Sequence, residues 1–420
     1  MNMIITPSRL CGTLSAISSK SFVHRLLICA ALADSQVSIR LNTLSDDINA
    51  TIRCLEAMGA TVEIGAENIL VTPILLMRRE QPKIDTVILD CGESGSTARF
   101  LLPLASLLFD SFTMTGSGRL PGRPFAPLCR ALAHAGATFD SDTLPLSGGG
   151  KIHAGNFSIE GDVSSQFISG LLFTLPLLAS ESTITLATSL ESAGYVDMTI
   201  DVLRMFGIKI ERTGPEFRIP GNQRFSSPGE VQAEGDWSNA AFFLCMAALG
   251  GDVTVTGLSP DSTQGDAEII DLLRRFGVHA DSDSVQAGAL AGISIDASQI
   301  PDLVPVIAVV AAAAEGETRI YNAQRLRLKE SDRIQSTFNM LTAVGADAAI
   351  TEDGLVIHGK KQLEGGSVDG SGDHRIVMAA VCAACVCKNP VIIRGCQAVN
   401  KSYPSFFEDF MALGGTADVI

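Results

Sequence analysis

The sequence predicts an α/β protein of two domains, each containing three β-α-β-α-β-β units with buried parallel helices. Six segments begin with small polar or charged residues and continue as about 10–15 apolar residues; they start near Lys20, Ser96, Ser165, Ser238, Asp302 and His374. A glycine follows each of six further, amphipathic segments, at Gly59, Gly136, Gly207, Gly277, Gly345 and Gly414. Both markers recur about every 70 residues, which indicates an internal repeat.

Each repeat contains two helices of different character. The first is apolar on all sides, so it must be buried on all sides, whereas the second has one apolar stripe and belongs on the surface of a sheet. Glycine ends the second helix because it adopts the left-handed conformation without a steric penalty. Alternating stretches such as STITLAT, DVTVTGL and NPVIIRG are typical of the strands between them.

Six units of this length divide most simply into two domains of three units. The stretch PGNQRFSSPGE, residues 220–230, is rich in proline, glycine and serine and has the composition of a linker. The alternative is a repeat protein that only binds a partner on an exposed surface. We disfavour it because the reactive residues stand at the start of the buried helices.

The composition excludes several classes of partner. The formal net charge is −15, which argues against nucleic acid and anionic membranes. The longest apolar runs, residues 303–314 and 376–386, are about a dozen residues long, and a membrane span needs about 20. The start of the chain lacks the pattern of a secretory signal, so we expect a cytoplasmic protein. Cys382 and Cys385 have metal or redox spacing, but their apolar context favours a buried core position.

The starts of the buried helices are predicted anion sites, because the first N–H groups of a helix carry partial positive charge. Basic residues gather at the same places: Lys20, Arg25, Arg99, Arg123, Lys329, Arg333, His374, Arg375 and Lys401. The spacing of Lys329 and Arg333 predicts one shared helical face. Ser164 and Ser165 are either N-caps or ligands, and Asp302 is either an N-cap or a carboxylate in the site.

Eight strings in order along essentially the whole chain are similar to one enzyme family: SSKSFVHRLL, GESGSTARFL, GRPFAPL, DVSSQFISGLL, QIPDLVPVIA, RLKESDRI, SGDHRIVMA and NKSYPSFFED. They resemble the 5-enolpyruvylshikimate-3-phosphate synthases, of the enolpyruvyl transferases. The resemblance implies a two-domain inside-out α/β barrel. It also implies domains at residues 19–231 and at residues 1–18 plus 232–420, with the active site in the cleft between them.

The resemblance further implies transfer of the enolpyruvyl group of phosphoenolpyruvate to the 5-hydroxyl of shikimate 3-phosphate, with release of phosphate and no metal or organic cofactor. The shikimate 3-phosphate ligands would be Lys20, Ser21, Arg25, Ser164, Ser165, Gln166, Ser192, Tyr195, Asp302 and Lys329. The phosphoenolpyruvate ligands would be Lys20, Gly95, Arg123, Gln166, Arg333, Arg375 and Lys401. Asp302, Glu330 and Lys20 would be the catalytic residues, and the protein is expected to be a monomer.

The sequence departs from the family pattern in two places. Glu93 stands where many relatives have Asn, and its carboxylate would either weaken anion binding or point away as an N-cap. Many relatives also have an Asn four residues before the lysine of RLKESDRI, where this chain has Arg325. Asn322 lies seven residues before Lys329.

The sequence disfavours three other functions. The sister enzyme that transfers enolpyruvyl to UDP-N-acetylglucosamine usually has a cysteine in the loop before its Arg-Pro pair, and GSGRLPG has none. A catalytically dead anion-binding relative would lack Lys20, Asp302, Glu330 or Arg375, which are all present. A nucleotide-dependent kinase would need a G-x-x-x-x-G-K-[ST] loop, and the sequence contains none.

Overall fold

The computed structural model describes residues 1–74, 86–282 and 284–420, and the chain forms two compact units. One unit is Lys20–Ala233, and the other is Met1–Ser19 together with Glu234–Ile420. Each unit has its own hydrophobic core of buried residues. The boundaries expected at residues 19 and 231 lie one and two residues from the observed ones.

The unit Lys20–Ala233 alternates strands and helices along its described residues. Its helices are α1 (Lys20–Leu32), α2 (Asp46–Ala57), α3 (Gly95–Leu108), α4 (Ala126–His134), α5 (Ser165–Thr174) and α6 (Ala193–Met205). Its strands are β3 (Val37–Arg40), β4 (Thr61–Ile64), β5 (Asn68–Thr72), β6 (Thr86–Asp90), β7 (Ser111–Thr115), β8 (Ala137–Phe139), β9 (Leu146–Gly150), β10 (Asn156–Ile159), β11 (Ser182–Leu186), β12 (Glu211–Thr213), β13 (Glu216–Ile219) and β14 (Glu230–Gln232).

The strands of this unit form three sheets of four strands with one shared pattern. The orders are β14-β3-β5-β4, β6-β7-β9-β8 and β10-β11-β13-β12. In each sheet the first two strands are parallel and the other neighbours are antiparallel. The same supersecondary unit is therefore built three times, and β14 completes the first sheet from the far end of the segment.

The second unit follows the same plan with strands from both ends of the chain. Its helices are α7 (Trp237–Ala248), α8 (Ile269–Phe276), α9 (Val304–Ala313), α10 (Arg333–Ala343), α11 (His374–Ala384) and α12 (Phe406–Ala412). Its strands are β1 (Asn2–Thr6), β2 (Cys11–Ser15), β15 (Asp252–Thr256), β16 (His279–Ala280), β17 (Val285–Gln286), β18 (Ser294–Asp296), β19 (Glu317–Tyr321), β20 (Asp347–Ile350), β21 (Leu355–His358), β22 (Gly366–Asp369), β23 (Val391–Arg394) and β24 (Thr416–Val419).

Two sheets of this unit have four strands, in the orders β18-β19-β21-β20 and β22-β23-β1-β24. The N-terminal strand β1 thus lies between β23 and β24, antiparallel to both. β2 pairs in parallel with β15, and an antiparallel bridge joins Thr254 to Ser284 beside the β16-β17 pair. The first 15 residues therefore complete two repeats that begin more than 200 residues later.

The six predicted buried helices are α1, α3, α5, α7, α9 and α11, and almost every residue in them is buried. Within the second unit α7, α9 and α11 pack against one another. The six repeat glycines all have positive φ, from 78° at Gly207 to 110° at Gly136 and Gly277. The apolar segments are buried helices and the repeat glycines have left-handed backbone conformations, as the sequence indicated. The predicted α/β class is confirmed.

Among the described residues, no helix combines the length and apolarity that crossing a membrane requires. The Cys382 and Cys385 side chains lie at the end of α11, where burial raises both thiol pKa values, that of Cys385 to about 12. Neither cysteine is a thiolate at neutral pH, which agrees with the predicted core position.

Candidate active site

The small polar residues before the buried helices satisfy the first backbone N–H groups. Side-chain oxygens of Ser94, Ser164, Asp236 and Asp373 accept hydrogen bonds from N–H groups in the first turns of α3, α5, α7 and α11. Ser164 is therefore an N-cap, with its Oγ 3.3 Å from the Gln166 nitrogen. Ser165 is the first residue of α5 and is buried.

Arg25 brings three of the predicted ligands together in the first unit. Its side chain is 2% exposed and lies with its Cζ 5.1 Å from the centre of the Phe100 ring. Nη1 donates to the Ser21 carbonyl at 2.5 Å, Nη2 to the Tyr195 carbonyl at 2.8 Å, and Nε to Thr199 Oγ1 at 2.8 Å. Burial lowers the Arg25 pKa to about 10, so the guanidinium remains charged at neutral pH.

Lys20 and Ser192 each stand at the start of a helix in this unit. Lys20 is the first residue of α1, and its Nζ lies 2.8 Å from Asp47 Oδ2. Both side chains are mostly buried, at 14% and 13% exposed. Ser192 is buried and precedes α6 in the left-handed conformation, with φ 52°.

Gly95 and Arg123 are in close contact at the start of α3. A Cβ at Gly95 would lie 2.6 Å from Nη1 and 2.9 Å from Cζ of Arg123, so a side chain there would displace this guanidinium. One residue further on, Ser96 Oγ accepts from Gln166 Nε2 at 2.8 Å. Gln166 Oε1 accepts from Arg99 Nη1 at 2.7 Å. The Arg123 guanidinium and the Gln166 amide therefore both lie at the first turn of α3.

Glu93 does not cap α3, because Ser94 occupies the N-cap position. Of the two alternatives for Glu93, the N-cap is therefore excluded. Its carboxylate instead packs against Gly118, where a Cβ would clash with it. The loop that contains Gly118 also leads to Arg123, through a short 3-10 helix at Leu120–Gly122.

In the second unit, Arg333 holds three carboxylates at once. Nη1 lies 2.6 Å from Asp302 Oδ1, Nη2 lies 2.6 Å from Glu330 Oε2, and Nε lies 2.8 Å from Asp373 Oδ2. The Arg333 side chain is 1% exposed and that of Asp373 is 0% exposed. Burial acts to lower the Arg333 pKa, but the carboxylates of Asp373, Glu330 and Asp302 outweigh it and raise the pKa above its ordinary value.

Two further cations meet Asp302. Lys329 Nζ lies 3.3 Å from Asp302 Oδ1, and Arg375 Nη2 lies 3.5 Å from Oδ2. Arg375 Nη1 also donates to the Asp302 carbonyl at 3.0 Å. Burial lowers the Lys329 pKa to about 8, against the opposing effect of the Asp302 carboxylate. Asp302 is therefore a carboxylate held by cations; it is not the N-cap of α9, a position that Leu303 occupies.

The predicted shared helical face of Lys329 and Arg333 is wrong. Asp332 caps α10, which begins at Arg333, and Lys329 follows a 3-10 helix at Gln324–Leu328. The capping carboxylate satisfies the Gln335 N–H and stops the helix from extending toward Lys329. The two cations still meet, because both reach Asp302.

Lys401 is the last residue of a 3-10 helix, Cys396–Lys401, and its Nζ donates to the Gly372 carbonyl at 2.7 Å. Gly372 immediately precedes Asp373, so Lys401 lies next to the start of α11. At the second departure from the family pattern, Arg325 Nη2 reaches the Ser298 carbonyl at 3.5 Å. The nearby Asn322 Nδ2 donates to Asp296 Oδ2 at 3.0 Å.

Sequence reasoning missed two acids that pair with these cations, the mostly buried Asp47 and the fully buried Asp373. Asp373 could have been found from the repeat, because it occupies the same N-cap position as Ser94, Ser164 and Asp236. Asp47 had no comparable signal, since acidic residues in the first turn of an amphipathic helix are ordinary. Among the residues that the structure describes, no group of three or more His, Cys, Asp or Glu side chains could hold a metal ion.

Comparisons with known proteins agree along the length of the chain. Residues 4–410 match the family model described as EPSP synthase (3-phosphoshikimate 1-carboxyvinyltransferase). A 3-phosphoshikimate 1-carboxyvinyltransferase of Clostridium novyi (strain NT) is 42% identical over 431 residues, covering 99% of this chain and 98% of the relative. One of Clostridium acetobutylicum is 41% identical over 423 residues, covering 99% and 98%.

The solved structures lead to the same family. The structure of an EPSP synthase from Acinetobacter baumannii superposes with a TM-score of 0.82 at 25% sequence identity, covering 99% of each chain. The family model and the relatives in Clostridium each span nearly the whole sequence. The chain belongs to the EPSP synthase family.

Proposed function

We propose that the protein transfers the enolpyruvyl group of phosphoenolpyruvate to the 5-hydroxyl of shikimate 3-phosphate and releases phosphate, a step of aromatic amino acid biosynthesis. Family membership supports this activity. The observation that carries it is the Asp302 cluster, in which one carboxylate is surrounded by Arg333, Lys329 and Arg375 and has a second carboxylate, Glu330, on the same arginine.

The reaction needs proton carriers held beside bound anions. In the addition step, the hydroxyl loses its proton, its oxygen bonds to C2 of the donor, and the methylene carbon gains a proton. In the elimination step, the methyl group loses a proton and the C2–O bond to phosphate breaks. Asp302, Glu330 and Lys20 serve as the acid/base groups in this proposal, and each well-placed carrier contributes roughly 10²–10⁴-fold.

The acceptor carries a phosphate, a carboxylate and hydroxyls. In this proposal the charged groups bind to the cations and the hydroxyls to the serines and the amide; the ligands are Lys20, Ser21, Arg25, Ser164, Ser165, Gln166, Ser192, Tyr195, Asp302 and Lys329. The contacts of Arg25 with Ser21 and Tyr195 support a common role for these three residues.

The donor is a smaller molecule with a carboxylate and a phosphate. Its ligands in this proposal are Lys20, Gly95, Arg123, Gln166, Arg333, Arg375 and Lys401. Arginine suits both anionic groups because its paired N–H donors match two oxygens at once. The close fit of Arg123 over Gly95 supports the binding of an anionic group of phosphoenolpyruvate at the start of α3.

No metal ion or organic cofactor has a step in this reaction. We further propose a monomeric cytoplasmic enzyme with no nucleic-acid or membrane partner. All ten cysteines have free thiols, and eight of them are buried, which suits a reducing compartment. Size-exclusion chromatography with light scattering tests the monomer: a mass well above 44.2 kDa contradicts it.

The activity is tested by phosphate release from phosphoenolpyruvate with shikimate 3-phosphate, without added metal. UDP-N-acetylglucosamine replaces the acceptor in a parallel assay, and each substrate alone serves as a control. We expect release only with the shikimate acceptor. Release only with the UDP-sugar would identify the sister activity, and release with neither would identify a binding protein without catalysis.

A further inference from the structure

Beneath the start of α3, a chain of four buried polar side chains joins three helices. His24 Nδ1 lies 2.7 Å from Thr51 Oγ1, which lies 2.6 Å from Thr97 Oγ1. Thr97 Oγ1 donates in turn to Ser94 Oγ at 2.7 Å. His24, Thr51 and Thr97 are 0% exposed and Ser94 is 1% exposed. The chain therefore runs from α1 through α2 to the N-cap of α3, next to Gly95.

Each hydroxyl in such a chain has one proton, so a hydroxyl that donates to one neighbour accepts from the other. Thr97 Oγ1 also lies 3.5 Å from the Asp47 carbonyl, but Ser94 Oγ is the nearer acceptor at 2.7 Å. The direction of the chain depends on which nitrogen of His24 carries the proton. If Nδ1 carries it, His24 donates to Thr51, Thr51 to Thr97 and Thr97 to Ser94. If Nε2 carries it, every bond is reversed and Ser94 donates inward to Thr97.

The surroundings of His24 favour the Nδ1–H tautomer. Nε2 is buried and has no hydrogen-bond partner among the described residues. A buried N–H without an acceptor is rarer in proteins than an acceptor without a donor, so the proton belongs on Nδ1. Burial, followed by the charges of Lys20 and Arg25, lowers the His24 pKa well below its ordinary value, and the ring stays neutral.

This tautomer leaves the Ser94 proton free for a ligand. Ser94 Oγ already accepts from the Thr97 hydroxyl and from the Thr97 backbone N–H, at 2.7 and 3.2 Å. Two accepted bonds occupy both lone pairs, so its own O–H points elsewhere. The Arg123 guanidinium lies over the adjacent Gly95 and independently indicates an anion at this helix start.

The same two helices that carry the chain also hold Lys20. Lys20 and His24 lie four residues apart on α1, and Asp47 and Thr51 lie four residues apart on α2. The Lys20–Asp47 ion pair and the His24–Thr51 hydrogen bond are therefore consecutive links between α1 and α2.

We propose that His24 is a positioning residue whose Nδ1–H tautomer sets the direction of this chain and turns the Ser94 hydroxyl proton toward an anionic group of the donor substrate. The proposal rests on the proposed function, because that function supplies the anion. Ser94 becomes a further ligand of phosphoenolpyruvate. Thr51 and Thr97 carry the direction of the hydrogen bonds from His24 to Ser94.

The first test measures the tautomer directly. The protein contains six histidines, so ¹⁵N-histidine labelling with proton-correlated NMR gives few signals, and the His24→Asn spectrum assigns the one that disappears. We expect a protonated Nδ1 and an unprotonated Nε2 at neutral pH. A protonated Nε2, or a charged ring, overturns the proposal. This result does not depend on any activity.

The second test measures kinetics for both substrates. Thr51→Val breaks the chain without changing the side-chain shape, and His24→Leu removes its first donor. We expect the KM for phosphoenolpyruvate to rise roughly three- to tenfold, the effect of one ordinary hydrogen bond. The KM for shikimate 3-phosphate should stay within about twofold. His24→Asn can still donate from its amide and should restore the wild-type KM.

Thr174→Val is the matched control, because Thr174 is a fully buried threonine of the same unit whose hydroxyl, among the described residues, bonds only the Gly170 carbonyl, at 3.0 Å. An equal rise in Thr51→Val and Thr174→Val would show a general packing effect and overturn the proposal, as would no rise in Thr51→Val. If the wild-type protein releases no phosphate, the proposed function fails, and the NMR result still decides the tautomer.

Discussion

Arg333 Nη1 lies 2.6 Å from Asp302 Oδ1, and this ion pair organises the charged cluster of the second unit. Asp302 comes just before the buried helix α9, and Arg333 is the first residue of the amphipathic helix α10. The remaining nitrogens of the guanidinium hold Glu330 and Asp373. One arginine therefore fixes both proposed acid/base carboxylates.

Replacing Arg333 with methionine should destabilise the protein strongly. The substitution leaves Asp373 as a fully buried carboxylate without its main cation, and breaking a buried ion pair costs about 3–5 kcal/mol. Urea unfolding measures this loss. Arg204→Met is the control, because Arg204 is 71% exposed and its pair with Asp201 should contribute about 1 kcal/mol or less. Similar losses in the two variants would contradict the central role of Arg333.

Asp302→Asn should lower kcat by about 10²–10⁴-fold while the protein remains folded. The asparagine side chain has the shape of the carboxylate, and its oxygen still accepts a hydrogen bond from Arg333. It cannot carry a proton in the reaction. Asp296→Asn is the same change on an exposed side chain of the same unit, and its kcat should stay within about twofold. A normal kcat in Asp302→Asn would remove the proposed role of this carboxylate.

Deprotonation of Lys329 should weaken the binding of shikimate 3-phosphate at alkaline pH. Its pKa of about 8 means that the ammonium is charged below pH 8 and becomes neutral as the pH rises through that value. The kcat/KM for shikimate 3-phosphate should therefore fall above pH 8, because Lys329 no longer offers a positive charge to the bound anion. Lys329→Arg should abolish this fall, because arginine stays charged to much higher pH. An unchanged alkaline limb in Lys329→Arg would assign the titration to another group.

Gly95→Ala should weaken donor binding more than acceptor binding. The new Cβ would lie 2.6 Å from Arg123 Nη1, so the guanidinium must move away from the start of α3. We expect the KM for phosphoenolpyruvate to rise at least tenfold, roughly the loss of a charge-assisted hydrogen bond. Gly122→Ala is the control, since a Cβ there meets nothing within 4 Å. Equal KM values in the two variants would refute the close fit.

Local sequence was sufficient for the buried helices and for the glycines that end the amphipathic helices. Burial of α9 follows from a run of apolar residues too continuous for a surface helix. The positive φ values at Gly59 and Gly414, 101° and 92°, follow from the need to end an amphipathic helix in the left-handed conformation. Both properties arise within about one turn of helix, so the sequence pattern alone predicts them.

The residue types of the candidate site were also visible, but their partners were not. Lys329 and Arg333 were expected on one helix, whereas the capping of α10 by Asp332 separates them. Both reach Asp302, which lies 27 and 31 residues earlier in the chain. Such pairs depend on how the two helices of a repeat pack against each other, and no local pattern encodes that contact.

The sequence by itself determined the buried helices and the concentration of cations at their starts, because each depends on neighbours a few residues apart. It also determined the repeat, because the two markers recur about every 70 residues along the chain. Only the tertiary structure decided that β1 lies between β23 and β24, that Asp373 pairs with Arg333, and that His24 links to Ser94. These contacts join residues brought together by the packing of whole helices and sheets, where side-chain geometry selects the partner.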